Sequence, residues 1–131
     1  MVKKEKVVLS MGFQVAAVTK PLMAVRRITE QGNRVHFGPK EEDNYICSVA
    51  SGDKLMLRDN GRGSYNMHVR FVNGEETTIT VDSGAEESVC PPEWGRQFGL
   101  KPARRWLNLR DAGGNLLHHY GEREVRVTST F

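Results

Sequence analysis

Short apolar and β-branched stretches, each bounded by turn residues, constrain the fold of this chain more than any other feature. Between residues 44 and 82, four such stretches are separated by turns rich in Gly, Asn, Asp and Ser. Residues 65–72 alternate apolar and polar side chains, which is typical of a strand with one buried face. Segments this short bury their apolar faces only by pairing into a sheet. The sequence therefore predicts an all-β domain of about eight to ten short strands.

One helix is predicted within this β pattern. Pro21 suits the first turn of a helix because its φ is fixed, and Leu22, Val25 and Ile28 follow at helical spacing. Gly32 is expected to end the helix as a left-handed cap. The other predicted strands lie at residues 7–9, 13–18, 34–37, 44–49, 54–57, 77–81, 106–110 and 124–128, with a helical turn at 93–98. We therefore expect a small β-barrel or sandwich with one helix packed on it.

Composition narrows the class of protein. A chain of 131 residues suits a single domain, and none of its apolar runs approaches the roughly 20 residues that cross a bilayer. The first apolar stretch, residues 7–9, is too short for a signal peptide, so an intracellular, cytoplasmic protein without a membrane partner is expected. The net charge is +3 and the basic residues are scattered. Nucleic-acid binders usually gather their basic residues on one face, so a nucleic-acid partner is not expected.

The cysteines and histidines lack the spacing of a metal site. Cys47 and Cys90 are expected to be reduced and at least half buried. His118 and His119 are adjacent, so on a strand they would point to opposite faces. No metal and no cofactor are therefore predicted. A nucleophilic pair of Cys90 and His119 is an alternative that no surrounding motif supports.

The predicted strand at 77–81 leads directly into Asp82-Ser83-Gly84-Ala85. Such a strand would deliver a carboxylate to a sharp turn. Gly84 is expected to allow close backbone approach and a positive φ. The Ser83 hydroxyl could bond a neighbouring backbone, and Ala85 is small enough for a second copy to pack closely. Asp-Ser-Gly also forms ordinary turns, so these residues alone leave both interpretations open.

The surrounding sequence resembles a known family. Residues 79–85 are similar to the catalytic loop of retropepsins, especially the proteases of copia-type retrotransposons. Residues 108–116 look like the flap that follows in that family, and residues 15–28 and 32–37 resemble its later segment with a single helix. The flap residues are then Asp111, Ala112, Gly113 and Gly114. The resemblance implies a small closed β-barrel of the retropepsin type with one short helix.

The order of these segments departs from the family, where the Asp-Ser-Gly loop comes before the helix. The chain therefore resembles a circular permutant. In a single domain at 1–131, residues 1–72 would be the family's second half and residues 73–131 the half with the loop and flap. The usual ends would be joined near residues 71–76, and Met1 and Phe131 are expected to lie near each other.

The resemblance implies an aspartic endopeptidase with Asp82 as its catalytic residue. Because one chain offers one Asp-Ser-Gly sequence, a two-fold homodimer would have to bring two carboxylates together. Carboxylates about 3 Å apart share a proton and activate water. The substrate would be a peptide, such as the element's own polyprotein. The alternative is a catalytically inactive permuted barrel that binds peptide or nucleic acid.

Glu86 and Glu87 directly follow the candidate loop. If they pointed inward, their negative charge would raise the pKa values of the catalytic carboxylates. Outward-facing side chains are expected, because acids are seldom buried unpaired.

Overall fold

The computed structural model describes residues 8–129 of the chain. Within that range lie ten strands and one α-helix, which confirms the all-β prediction with one short helix. The strands are β1 (Val8–Ala16), β2 (Leu22–Ala24), β3 (Asn33–His36), β4 (Tyr45–Ser48), β5 (Lys54–Met56), β6 (Arg58–Asp59), β7 (Tyr65–Phe71), β8 (Glu76–Asp82), β9 (Val89–Cys90) and β10 (His119–Ser129). The helix is α1 (Val25–Glu30), and short 3-10 turns occur at Glu41–Asp43 and Arg96–Phe98. No described helix has the length and apolarity to cross a membrane.

Strands from the two halves of the sequence interleave in one mixed sheet. Its seven strands follow the order β10-β1-β9-β2-β8-β7-β6, and β10 also pairs with β7. Strands β3, β4 and β5 form a separate antiparallel sheet. In the order from β10 to β7, each strand from residues 73–131 is followed by one from residues 1–72. Neither half can therefore complete this sheet alone.

The first and last strands of the sheet pair with each other. Strands β1 and β10 are antiparallel over their whole length, and Val8 is the register partner of Thr128. Met1, Phe131 and residue 7 of the first predicted strand lie outside the described residues.

The core lies beneath the seven-stranded sheet and is built by alternation along its strands. Val125 and Val127 of β10 are fully buried, as predicted, while Glu124 and Arg126 between them are exposed. Fully burying such a side chain stabilises the fold by about 1.5–3 kcal/mol. Trp94 packs against this core, with its ring 5.1 Å from that of Phe13.

Three local predictions are wrong. Residues 7–9 and 13–18 are not two strands, because Val8–Ala16 is one continuous strand. The helix does not begin near Pro21, because Leu22–Ala24 pairs in parallel with β8 before the helix starts at Val25. Residues 106–110 form no strand and contribute only the isolated bridge between Arg110 and Leu116. In the second case, long-range pairing overrides the local pattern, and in the third the stretch has no partner strand. The Gly32 cap is confirmed by its φ of 84°.

Candidate active site

Asp82 is the last residue of a buried strand and is itself half buried. The strand residues before it, Ile79 to Val81, are buried. Asp82 is the register partner of Ala24 on the parallel strand β2. The backbone N–H of Gly84 donates to Asp82 Oδ1 at 2.8 Å, while Oδ2 accepts no hydrogen bond from residues 8–129. The loop therefore orients its own carboxylate, as Asx turns do, and leaves one oxygen open.

The three residues after Asp82 differ from expectation in one respect. Gly84 does not have a positive φ, so that prediction is wrong. A Cβ on Gly84 would lie 3.4 Å from Asp82 Oδ1, which is close to van der Waals contact with the carboxylate. Ser83 is exposed and its hydroxyl makes no hydrogen bond to the described part of the chain, and Ala85 is half buried.

Ser88 hydrogen-bonds to two strands that flank the loop, a role that the sequence did not predict. It is only 3% exposed, and its hydroxyl accepts the backbone N–H of Ala24 at 3.0 Å. Its carbonyl accepts the N–H of Gln14 on β1 at 2.8 Å. One residue thus ties β1 and β2 to the loop that carries Asp82. No sequence signal distinguishes this serine from others in turns.

An ion pair neutralises one of the two acids after the loop. Glu86 is exposed, as expected. The Arg27 guanidinium donates to Glu87, and also to Glu30 at 2.9 Å. These hydrogen bonds, first the one to Glu87, raise the pKa of Arg27 above its ordinary value. The pair connects helix α1 to the loop and offsets the charge of Glu87.

The predicted flap residues form an exposed hairpin tip held by Asp111. Its Oδ1 accepts the backbone N–H of Gly113 at 3.0 Å and that of Asn115 at 2.9 Å. The bonds from Asn115 are the main reason why the pKa of Asp111 lies below its ordinary value. Gly114 has a φ of 84°, which completes the turn, and Ala112 is exposed at the tip.

Arg110, at the base of this tip, donates to the Gly114 carbonyl at 2.9 Å. Arg110 and Asp111 are therefore engaged within the hairpin itself. No hydrogen bond among the described residues joins positions 110–116 to the loop at 82–85.

The alternative nucleophilic pair is excluded by burial and partners. Cys90 is fully buried, and that burial raises the pKa of its thiol to about 12. A thiolate is therefore scarce near neutral pH. His119 bonds Gln14, Gly121 and Leu107 rather than the thiol. Both cysteines are free, Cys47 half buried.

The structure holds no grouping of metal-binding side chains within residues 8–129. No three His, Cys, Asp or Glu side chains there gather closely enough to hold a metal ion.

An open groove of about 990 Å³ runs beside the loop without including Asp82. Arg27, Glu87 and Ser88 line it on the loop side, and Lys101 and Glu122 line it on the other. Both signs of charge therefore face this groove.

No protein-family model, curated protein or solved structure matches this chain.

Proposed function

We propose that this chain is a retropepsin-like aspartic endopeptidase that acts as a homodimer with one Asp82 per subunit. The observation that carries the proposal is the setting of Asp82. A half-buried carboxylate ends a buried strand, lies beside the parallel strand β2 and is oriented by the N–H of Gly84. This arrangement presents one carboxylate oxygen in a fixed direction, as a two-carboxylate site requires.

The sheet pairings support a closed, circularly permuted barrel. Strand β10 pairs with β1 on one side and with β7 on the other, so the pairing returns to its start. The register partnership of Val8 and Thr128 places the two ends of the described chain together, which is what permutation requires. The turn at residues 72–75 joins two strands of the same subunit, β7 and β8, in a hairpin.

In the proposed mechanism two Asp82 carboxylates share one proton across the dimer axis. The ionised carboxylate takes a proton from water as the water oxygen bonds to the peptide carbonyl carbon. The protonated carboxylate donates to the carbonyl oxygen. The tetrahedral intermediate then breaks its C–N bond, and the leaving amine takes up a proton. The flap would close over the substrate and exclude water.

The test compares the unmodified protein with Asp82→Asn on a mixed peptide library across about pH 4 to 7, because the activity of a shared-proton dyad depends on pH. The matched control is Asp53→Asn, in the turn before β5 and remote in sequence from the loop. We expect cleavage that rises more than linearly with protein concentration, disappears in Asp82→Asn and persists in Asp53→Asn. Cleavage by Asp82→Asn at the unmodified rate would refute the proposal.

A second candidate is a peptide-binding module without catalysis. The groove of about 990 Å³ favours it, because its lining leaves out Asp82. Under this alternative, library peptides bind the unmodified protein and Asp82→Asn equally, and neither protein cleaves them.

A further inference from the structure

His119 lies at the start of β10 and is only 9% exposed. Three hydrogen bonds surround its ring. The backbone N–H of Leu107 donates to Nδ1 at 3.2 Å. On the other side, Nε2 lies 3.1 Å from the carbonyl oxygen of Gly121 and 2.7 Å from Oε1 of Gln14. The ring thus connects β1, β10 and the segment before the flap.

The two backbone partners fix the protonation state of this ring. A backbone N–H can only donate, so Nδ1 must carry a lone pair toward Leu107. A backbone carbonyl can only accept, so Nε2 must carry the proton toward Gly121. Only the neutral Nε2–H form satisfies both contacts. A second proton on Nδ1 would face the Leu107 N–H and leave two donors without an acceptor.

The Leu107 contact lies at the base of the flap. The Trp106 ring packs edge-on against His119, with ring centroids 5.0 Å apart. Two residues after Leu107, the Leu109 carbonyl accepts the N–H of Leu117 at 2.7 Å. This hydrogen bond begins the hairpin that ends in the flap tip. Movement at Leu107 would therefore be passed directly to the flap.

We infer that neutral His119 is a positioning residue that anchors the flap base, and that its protonation releases the base. Histidine is the side chain that changes charge between about pH 5 and 8. The effect on substrate rests on the proposed protease function. The anchoring of Leu107 does not depend on it.

The surrounding groups offer no acceptor for a second ring proton. β1 contributes neutral Gln14. Glu122, on the same strand as His119, is occupied by Arg104, whose backbone N–H donates to it at 2.8 Å. The other charged or titratable side chains on β10 are Tyr120, Arg123, Glu124 and Arg126, those in residues 100–110 are Lys101, Arg105 and Arg110, and His118 immediately precedes β10. None of them is a hydrogen-bond partner of the His119 ring.

NMR on the unmodified protein tests the inference directly. The ring ¹⁵N shifts of His119 should report the Nε2–H form at pH 8. As the pH falls, the protection factor of the Leu107 amide should drop about fivefold, in step with protonation of the ring, since one net hydrogen bond is lost. An Nδ1–H form at pH 8, or a Leu107 amide insensitive to the ring's titration, would overturn the inference.

A matched pair of variants separates His119 from its neighbour. His119→Gln keeps a neutral side chain with a donor and an acceptor, so protection of the flap base should no longer change with pH. His118→Gln, at the exposed adjacent position, should keep the unmodified pH dependence. If His119→Gln does not fold, the pH titration of the unmodified protein still tests the inference through the protection of the Leu107 amide.

Cleavage kinetics distinguish failure of this inference from failure of the proposed function. If the chain is a protease, KM for a peptide should rise as His119 becomes protonated, and His119→Gln should abolish that rise with little change in kcat. Cleavage with the same KM profile in both proteins would refute the anchor and leave the protease standing. If no peptide is cleaved and the Leu107 amide is still coupled to the ring, the proposed protease function is refuted and the anchoring role of His119 is supported.

Discussion

Two regions are held in opposite ways: the loop at residues 82–85, which carries Asp82, and the flap hairpin at residues 110–116. Around the loop, strands β1, β2, β8 and β9 pair with one another, and Ser88 and Ala24 are buried between them. Residues 110–116 are all exposed, and their hydrogen bonds stay almost entirely within the hairpin. The difference indicates a rigidly held carboxylate in one region and, in the other, a hairpin that can open at little cost.

The two regions also differ in how far apart in sequence their contacts lie. The loop is fixed by pairings with residues 14–24, which come more than 50 positions earlier. The flap tip is fixed by contacts four positions apart or fewer. Substitutions around the loop should therefore lower global stability, and those at the tip should act locally.

The largest effect is expected at Gly121, where the segment before the flap meets strand β10. A Cβ there would lie 2.4 Å from the Lys101 carbonyl oxygen, and φ is +147°. Gly121→Ala should lower the free energy of unfolding by about 3 kcal/mol, measured by urea denaturation. Gly12→Ala is the control, because a Cβ at Gly12 on the neighbouring strand meets nothing. Equal stability of the two variants would contradict the close approach at Gly121.

Ser88→Ala should have the next largest effect. It leaves the Ala24 N–H buried without its acceptor, so the free energy of unfolding should fall by about 1–3 kcal/mol. Ser83→Ala, five positions earlier but exposed, should change stability by less than about 0.5 kcal/mol. A Ser88→Ala protein as stable as Ser83→Ala would show that the Ser88 hydroxyl does not stabilise the loop.

A smaller difference is expected between the ion pair at the loop and the pair that joins Arg104, before the flap, to Glu122 on β10. Arg27 and Glu87 have side chains 32% and 20% exposed, while Arg104 beside Glu122 is 94% exposed. Double-mutant cycles to alanine should give a coupling of about 0.5–1 kcal/mol for the first pair and close to zero for the second. Equal couplings would contradict the stronger electrostatic support expected at the loop.

The smallest effect concerns the flap tip alone. Its hydrogen bonds to the Asp111 carboxylate lower the pKa of that group, so they are fully present above the ordinary aspartate value of about 3.9. They are lost as the pH falls through the lowered value. Carboxyl ¹³C shifts should titrate below about pH 3.9, and the Gly113 and Asn115 amides should lose protection together. In Asp111→Asn that step should be missing. A midpoint at or above the ordinary value would contradict the turn geometry.

The sequence predicted what is encoded locally. The alternation in β7 and β10, the Gly32 cap and the strand leading to Asp82 follow from neighbouring residues, and all are present. Residues 22–24 form a strand rather than the predicted first turn of a helix, because their parallel partner lies nearly 60 positions away. Ser88, and the partners of Arg27 and His119, could not be predicted for the same reason. A resemblance can suggest a catalytic loop, but only the three-dimensional contacts show what holds it.

The pairing of β1 with β10 has a consequence for how the chain folds during synthesis. Met11 cannot pair with its register partner Val125 until the ribosome adds that residue, on the order of ten seconds later. Through that interval Met11 and Phe13 of β1 have no paired strand, because β9, which is synthesised earlier, pairs only with Gln14 and Val15. Such delayed, non-local pairing slows folding and leaves a nascent strand open to aggregation. Refolding of this protein should therefore be slow and should benefit from chaperones that bind extended apolar segments.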